Sequence, residues 1–216
     1  MEYRIYKYID MLIERYPLLK SASKEIEDAY EILESCFTNG GKLLVAGNGG
    51  SAADSEHIVG ELMKGFEKPR VLNNELRRSL VKVDSKMGTI LAENLQMALP
   101  AIALDGHVAL TTAYMNDCNP LLCFAQQING YGNGKDVFLG ISTSGNSKNI
   151  IYAAITAKAK GMKVIGLTGS KQCELQKLSD VTIHSTENRT YMIQEQHLPI
   201  YHCLCLMLEE RFWGNL

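Results

Sequence analysis

The sequence predicts an α/β fold, a parallel sheet covered by helices on both faces and preceded by N-terminal helices. Three observations carry this reading. Short apolar stretches alternate along the chain with stretches of helical periodicity. The first of them, Leu43-Leu44-Val45-Ala46, passes through a glycine turn, Gly47-Asn48-Gly49-Gly50, straight into a helical pattern that opens with Ser51-Ala52-Ala53-Asp54. A later one, Val137-Phe138-Leu139-Gly140, runs into Ile141-Ser142-Thr143-Ser144-Gly145-Asn146-Ser147, the same arrangement with hydroxyls in place of most of the glycines.

Ile5, Ile9, Leu12, Ile13 and Tyr16 recur at helical spacing and predict a first amphipathic helix that ends near Pro17. Its apolar stripe needs a partner, either its own domain or a second subunit. Ser21 or Ser23 is a candidate cap for a second helix, which turns Ile26, Leu33 and Cys36 inward and closes at Thr38-Asn39-Gly40-Gly41. The strand and glycine turn follow. There the backbone can approach a ligand closely, and the helix N-terminus offers unpaired N–H groups and a positive dipole end, which together suit a phosphate. Two loops of this build could grip one ligand. The first lacks the lysine of a Walker loop, and its glycines do not have the dinucleotide spacing, so neither ATP nor NAD is expected.

In the helix after the glycine turn, His57 and Glu61 stand four residues apart and share a face. They are either a solvated ion pair or two ligands of one metal. Residues 67–99 change in character and read as a helical insertion, with helical spacing at Thr89 to Leu95; Lys68, Arg70, Arg77 and Arg78 there either meet a substrate or keep the surface soluble. Pro100 to Asp105 reads as a strand, Leu110 to Tyr114 as a helix followed by Asn116-Asp117, and Leu121 to Ile128 as a helix ending at a glycine-rich turn. After the serine loop come a helix over Asn149 to Ala159, a strand over Lys163 to Thr168 and a short strand, Val181-Thr182-Ile183. The last segment is apolar almost all round from Leu198 to Leu208 and should be a buried helix. His202 is nearly its only ionisable group, either a core histidine or a functional one. Pro199 should kink this helix or mark its first turn.

A chain of 216 residues accommodates one sizeable domain, here 1–216, with 1–38 as its helical extension. A net charge of −2 with acids and bases interspersed leaves no basic stripe for nucleic acid, and no apolar run reaches membrane-span length. Met1-Glu2-Tyr3-Arg4 begins an amphipathic pattern without a signal-peptide core, so a cytoplasmic protein is expected. The six cysteines lack the paired spacings of a zinc ribbon or redox motif and read mostly as buried thiols.

Taken together, Gly47-Asn48-Gly49-Gly50-Ser51, His57, Glu61, Asn116-Asp117, the Ser142 to Ser147 loop and Ile193-Gln194-Glu195 with His197 and His202 resemble the sugar isomerase (SIS) family over nearly the whole chain. Within it the chain is most similar to the phosphoheptose isomerases, which convert sedoheptulose 7-phosphate to D-glycero-D-manno-heptose 7-phosphate. The resemblance implies a three-layer sandwich. It implies that Ser51, Ser142, Thr143, Ser144 and Ser147 hold the phosphate, and that Asn48, Gly49, Gly50, Asn116, Asp117 and Gln194 line the sugar. Glu61 and His202 match the family's catalytic pair, with Glu61 also at the substrate. His57, Glu61, Gln194 and His202 match its zinc ligands, one ion per subunit, and their N and O donors suit that metal.

The resemblance further implies a tetramer and a product bound for a heptose-containing glycan: lipopolysaccharide, capsule or another. Gln194 and His202 are roughly 12 Å apart along a straight helix, so either the Pro199 region bends or one ligand comes from another subunit. The chain departs from the family in a longer connection from Phe66 to Pro100 and in Tyr191, where an acid is frequent. Two alternatives remain beside this reading: an isomerase of another phosphosugar, and a non-catalytic regulator on the same fold, such as the replication-initiation factor. That factor lacks the acid and histidine found here at Glu61 and His202.

Overall fold

A computed structural model describes residues 2–214. Met1, Asn215 and Leu216 of the expected 1–216 domain lie outside the described residues. The short apolar runs become five strands: β1 (Leu43–Ala46), β2 (Ala101–Ala103), β3 (Val137–Ser142), β4 (Lys163–Thr168) and β5 (Val181–His184). They form one sheet in the order β2-β1-β3-β4-β5, every neighbouring pair parallel. The helices are α1 (Tyr3–Arg15), α2 (Ser23–Thr38), α3 (Gly50–Met63), α4 (Asn74–Val83), α5 (Ser85–Asn94), α6 (Val108–Asp117), α7 (Cys123–Tyr131), α8 (Lys148–Ala159), α9 (Glu174–Leu178) and α10 (Thr190–Trp213).

The two faces of the sheet bury two cores, because successive strand side chains point to opposite faces. Leu43 and Val45 of β1 join a cluster with Ile9 of α1, Leu33 of α2, Ile58 of α3 and Leu204 of α10. Leu44 and Ala46 join the other, with Ile128 of α7, Ile150 of α8 and Leu175 of α9. Each fully buried leucine or isoleucine contributes about 1.5–3 kcal/mol, so the three-layer order follows from the unbroken apolar character of the strands. α1 spends its stripe on its own domain: Ile5, Tyr8, Ile9 and Leu12 are buried, and the helix packs on α10.

Several local expectations are corrected. Neither Ser21 nor Ser23 caps α2; their hydroxyls donate backwards, to the Leu18 and Lys20 carbonyls at 3.4 and 2.8 Å, within a 3₁₀ turn over Pro17–Ala22. Pro199 is not a first-turn residue: of the two expectations for it, only a place inside the helix fits, within α10, which packs on α1, α2 and α3. That packing outweighs the roughly 3 kcal/mol a helix-interior proline costs. The insertion is a hairpin of α4 and α5, capped by the side chains of Asn73 and Asp84, and its basic residues divide. Arg70 is 1% exposed and paired with Glu209, so it serves neither substrate nor solubility, whereas Arg78 is exposed.

The core histidine of α10 is His197. It is fully buried, its Nε2–H donates to the Thr168 carbonyl at 3.2 Å, and burial lowers its pKa to about 4. The unfolded chain takes up this proton near pH 6.5 and the folded one only near 4. Stability should therefore fall as pH drops from about 6.5 to 4, by roughly 3 kcal/mol in total from this group. Urea titrations across that interval should show a steeper loss in the wild type than in His197→Gln; equal slopes would assign the loss to other groups. All six cysteines are free thiols, and Cys118, just past the end of α6, is the exposed one. Burial pushes the Cys36 thiol up to about 11 and that of Cys203 to about 12. Among the described residues no helix is long and apolar enough to cross a membrane.

Candidate active site

From β1 the chain crosses to β2 on one side of the sheet, and β3 lies on the other side of β1. The carboxyl ends of β1 and β3 thus flank a point where strand order reverses, the crevice in which open α/β sheets bind ligands. Both loops singled out in the sequence emerge there. Gly49 sits at φ +58°, ψ −119°, which an L side chain rarely adopts, and a Cβ on Gly50 would come within 2.6 Å of the Gln194 amide nitrogen. Gly145 has φ +63°, and a Cβ there would collide with Cys173. The two loops are tied together by a reciprocal amide pair, in which Asn48 and Asn149 each donate to the other's Oδ1 at 3.1 and 2.8 Å. Within the serine loop Ser142 and Ser147 share a hydrogen bond of 3.0 Å, Ser142 being the last residue of β3. Ser51 is buried in the first turn of α3. A cavity of about 240 Å³ opens beside this loop, lined by Thr143, Ser144, Asn146, Ser170 and Lys171 among others. It supplies hydroxyls, amides and the Lys171 ammonium, groups that suit an anion, with the Glu187 carboxylate also on its wall.

The other half of the site is built where α3 packs on α10. His57 Nε2 lies 3.3 Å from Glu61 Oε1, and the Lys64 ammonium lies 2.9 Å from Oε2. Glu61 is 8% exposed, whereas the His57 side chain is 42% exposed, so the carboxylate is buried and the imidazole reaches the surface. His202 faces it from α10: its ring centroid is 5.0 Å from that of His57 and 5.4 Å from Phe66. Burial and then the neighbouring His57 lower the pKa of His202, which keeps it neutral and able to accept a proton. Its Nε2 is buried without a hydrogen-bond partner among the described residues. On the outer side His202 lines a cavity of about 250 Å³ together with Tyr8, Met11 and Arg15 of α1 and Leu198 of α10.

The chain therefore brings His57, Glu61 and His202 together and sets Gln194 against the glycine loop on the same uninterrupted helix. It does not bring in Asn116 and Asp117. They end α6, are exposed, and hydrogen-bond to each other at 2.9 Å. Among the described residues no three His, Cys, Asp or Glu side chains are gathered as a metal cluster. The donors still fit zinc in kind: two imidazoles, a carboxylate and an amide oxygen, with the unpartnered Nε2 of His202 needing a partner beside the His57–Glu61 pair. Sequence reasoning missed Lys64, Asn149, Asp54 and Tyr201. Asp54 was within reach, since Asp54, His57 and Glu61 fall three and four residues apart on one helical face; Asn149 was not, because its partner is Asn48, on another strand's loop.

Residues 7–86 and 82–169 match the SIS domain, and with the paired loops at the β1/β3 crevice they define a SIS-domain protein. The phosphoheptose isomerase of Leptospira biflexa is 37% identical over 205 residues, 95% of this chain and 93% of that protein. Solved phosphoheptose isomerases from Francisella tularensis and Neisseria gonorrhoeae superpose with TM-scores of 0.74 and 0.71 at 33% and 30% identity, the matches spanning 94% and 95% of this chain and 95% and 97% of theirs. On sequence and structure alike the chain belongs to the phosphoheptose isomerase family.

Proposed function

We propose that this chain interconverts sedoheptulose 7-phosphate and D-glycero-D-manno-heptose 7-phosphate by proton transfer through an enediol. The observation that carries the reading is that Glu61 and His202, a carboxylate and a neutral imidazole, both face His57, on the two helices α3 and α10 that also meet at the glycine loop through Gly50 and Gln194. The ketose carbonyl is at C2. Glu61 removes a proton from C1 while O2 takes one up, which gives the enediol; Glu61 then delivers its proton to C2 as the O1 hydroxyl loses its own. His202 moves the protons at the two oxygens. Ser51, Ser142, Thr143, Ser144 and Ser147 hold the phosphate, while Asn48, Gly49, Gly50 and Gln194 face the polyol. Asn116 and Asp117 would join them only if α6 moves or if they serve a neighbouring subunit.

Zinc held by His57, Glu61, Gln194 and His202 would polarise the substrate carbonyl as a Lewis acid. Because Gln194 and His202 are roughly 12 Å apart on one helix, the reading places the site at a subunit interface of a homotetramer. A cytoplasmic enzyme supplying a heptose-containing glycan is the setting this chemistry suits. Isomerisation of another phosphosugar is the alternative within the same chemistry.

The experiment is an NMR assay of the purified protein with sedoheptulose 7-phosphate, run as isolated, with added zinc and with chelator. The aldose phosphate should appear and the chelator should suppress it. Phosphosugar binding without turnover would overturn the substrate assignment, turnover unaffected by chelator the zinc, and full activity in a monomer the interface.

A further inference from the structure

His57 holds its place through more than its own helix. Its Nδ1 lies 3.0 Å from the hydroxyl of Tyr201, and that hydroxyl donates to Asp54 Oδ1 at 3.2 Å. Asp54 and His57 stand one turn apart on α3, whereas Tyr201 comes from α10 and is 2% exposed. The Tyr201 ring also packs edge-on against both imidazoles, with centroids 5.5 Å from His57 and 5.1 Å from His202. Asp54 Oδ2 is buried without a partner, so among the described residues the phenol is the one side-chain donor this carboxylate has.

We propose that Asp54 and Tyr201 are positioning residues for His57, a relay that presents the imidazole to Glu61 with Nε2 as a free acceptor. The direction follows from counting protons. A carboxylate oxygen has none to give, and a phenol has one. Once that proton points at Asp54, the phenol oxygen can only accept, and the group facing it is Nδ1. A neutral imidazole that donates from Nδ1 carries its lone pair on Nε2, the atom 3.3 Å from Glu61 Oε1. Without the relay nothing opposes the other tautomer, in which Nε2–H donates to Glu61 and is closed to a cation. The orientation rests on this geometry alone; its use by a metal rests on the function proposed above.

Two measurements on the intact protein test it. Tyr201→Phe keeps the ring and its contacts with both imidazoles and removes only the hydroxyl. In nitrogen-15 histidine spectra of metal-free protein, this variant should move the His57 Nδ1 resonance and leave those of His184 and His197 in place. In a zinc titration against a competing chelator, Tyr201→Phe and Asp54→Asn should each bind about 10–100-fold more weakly. The double variant should be no weaker than Tyr201→Phe, because Asp54 acts through the phenol. An unmoved Nδ1 resonance, or additive losses in the double variant, would overturn the relay. If the wild type takes up no zinc while the Nδ1 resonance still depends on Tyr201, the relay stands and the zinc assignment falls.

Discussion

Glu61→Gln should lower kcat for the aldose–ketose interconversion by about 10²–10⁴-fold, the range a positioned general base contributes. The substitution keeps the shape of a side chain that is 8% exposed and removes its ability to take a proton from carbon. The amide would still reach His57, though it would no longer neutralise the Lys64 ammonium 2.9 Å away. KM should move less than kcat, since the phosphate site proposed above lies at the glycine and serine loops and does not use the Glu61 carboxylate. Solvent exchange of the C1 proton gives an independent readout and should be lost in parallel. A decrease below about tenfold would transfer the carbon-proton step to another group, with His202 the next to test.

The largest stability loss is expected at Arg70. Its guanidinium pairs with Glu209 at 2.8 Å, donates to the carbonyls of Leu62 and Glu61 at 2.6 and 2.9 Å, and lies over the Trp213 ring, 4.3 Å from its centroid. Those two carbonyls belong to the last turn of α3, so Arg70 closes the helix that carries Glu61. Burial would raise the Glu209 pKa, but the amides of Phe66 and Glu67 and the Arg70 charge outweigh it and hold the carboxylate low. Removing one partner of so buried a pair strands the other, which costs about 3–5 kcal/mol. For a chain of this size that lowers Tm by on the order of 10 °C. Arg70→Leu should show this in urea and thermal unfolding. Arg78→Leu, on an exposed face, should change stability by no more than about 0.5 kcal/mol. Equal losses in the two variants would refute the assignment.

What the sequence disclosed followed what each segment decides for itself. The strands were readable because a sheet buried on both faces needs unbroken apolar runs, and the loops because glycine and serine clusters interrupt them. Pattern reading also found the His57–Glu61 face. It read 67–99 as helical but noted the period only at Thr89 to Leu95, leaving α4 unbounded although Leu76, Leu80 and Val83 keep helical spacing after a capping Asn73. It missed α9 because five residues are too few to show a period. It offered Ser21 or Ser23 as the cap of α2, when hydroxyls beside a 3₁₀ turn have nearer carbonyls to bind. The site's finer parts were illegible for a different reason. Asn48 meets Asn149, Arg70 meets Glu209 and Asp54 meets Tyr201 only after the chain has folded, so no local pattern encodes them. The resemblance to a known family carried Gln194 and His202 into view, which periodicity alone left as residues of a buried helix.

The distribution of thiols turns the protein into its own labelling template. Cys118 is exposed while Cys36, Cys123, Cys173, Cys203 and Cys205 are buried, so a maleimide dye reaches one address without any cysteine being engineered in or out. That address adjoins Asp117, at the end of the helix whose carboxyl-terminal residues stand away from the loops they were expected to serve. A fluorophore there would separate the two routes proposed for Asn116 and Asp117: its emission should respond to phosphosugar within one subunit if α6 moves, and to subunit association if they serve a neighbour.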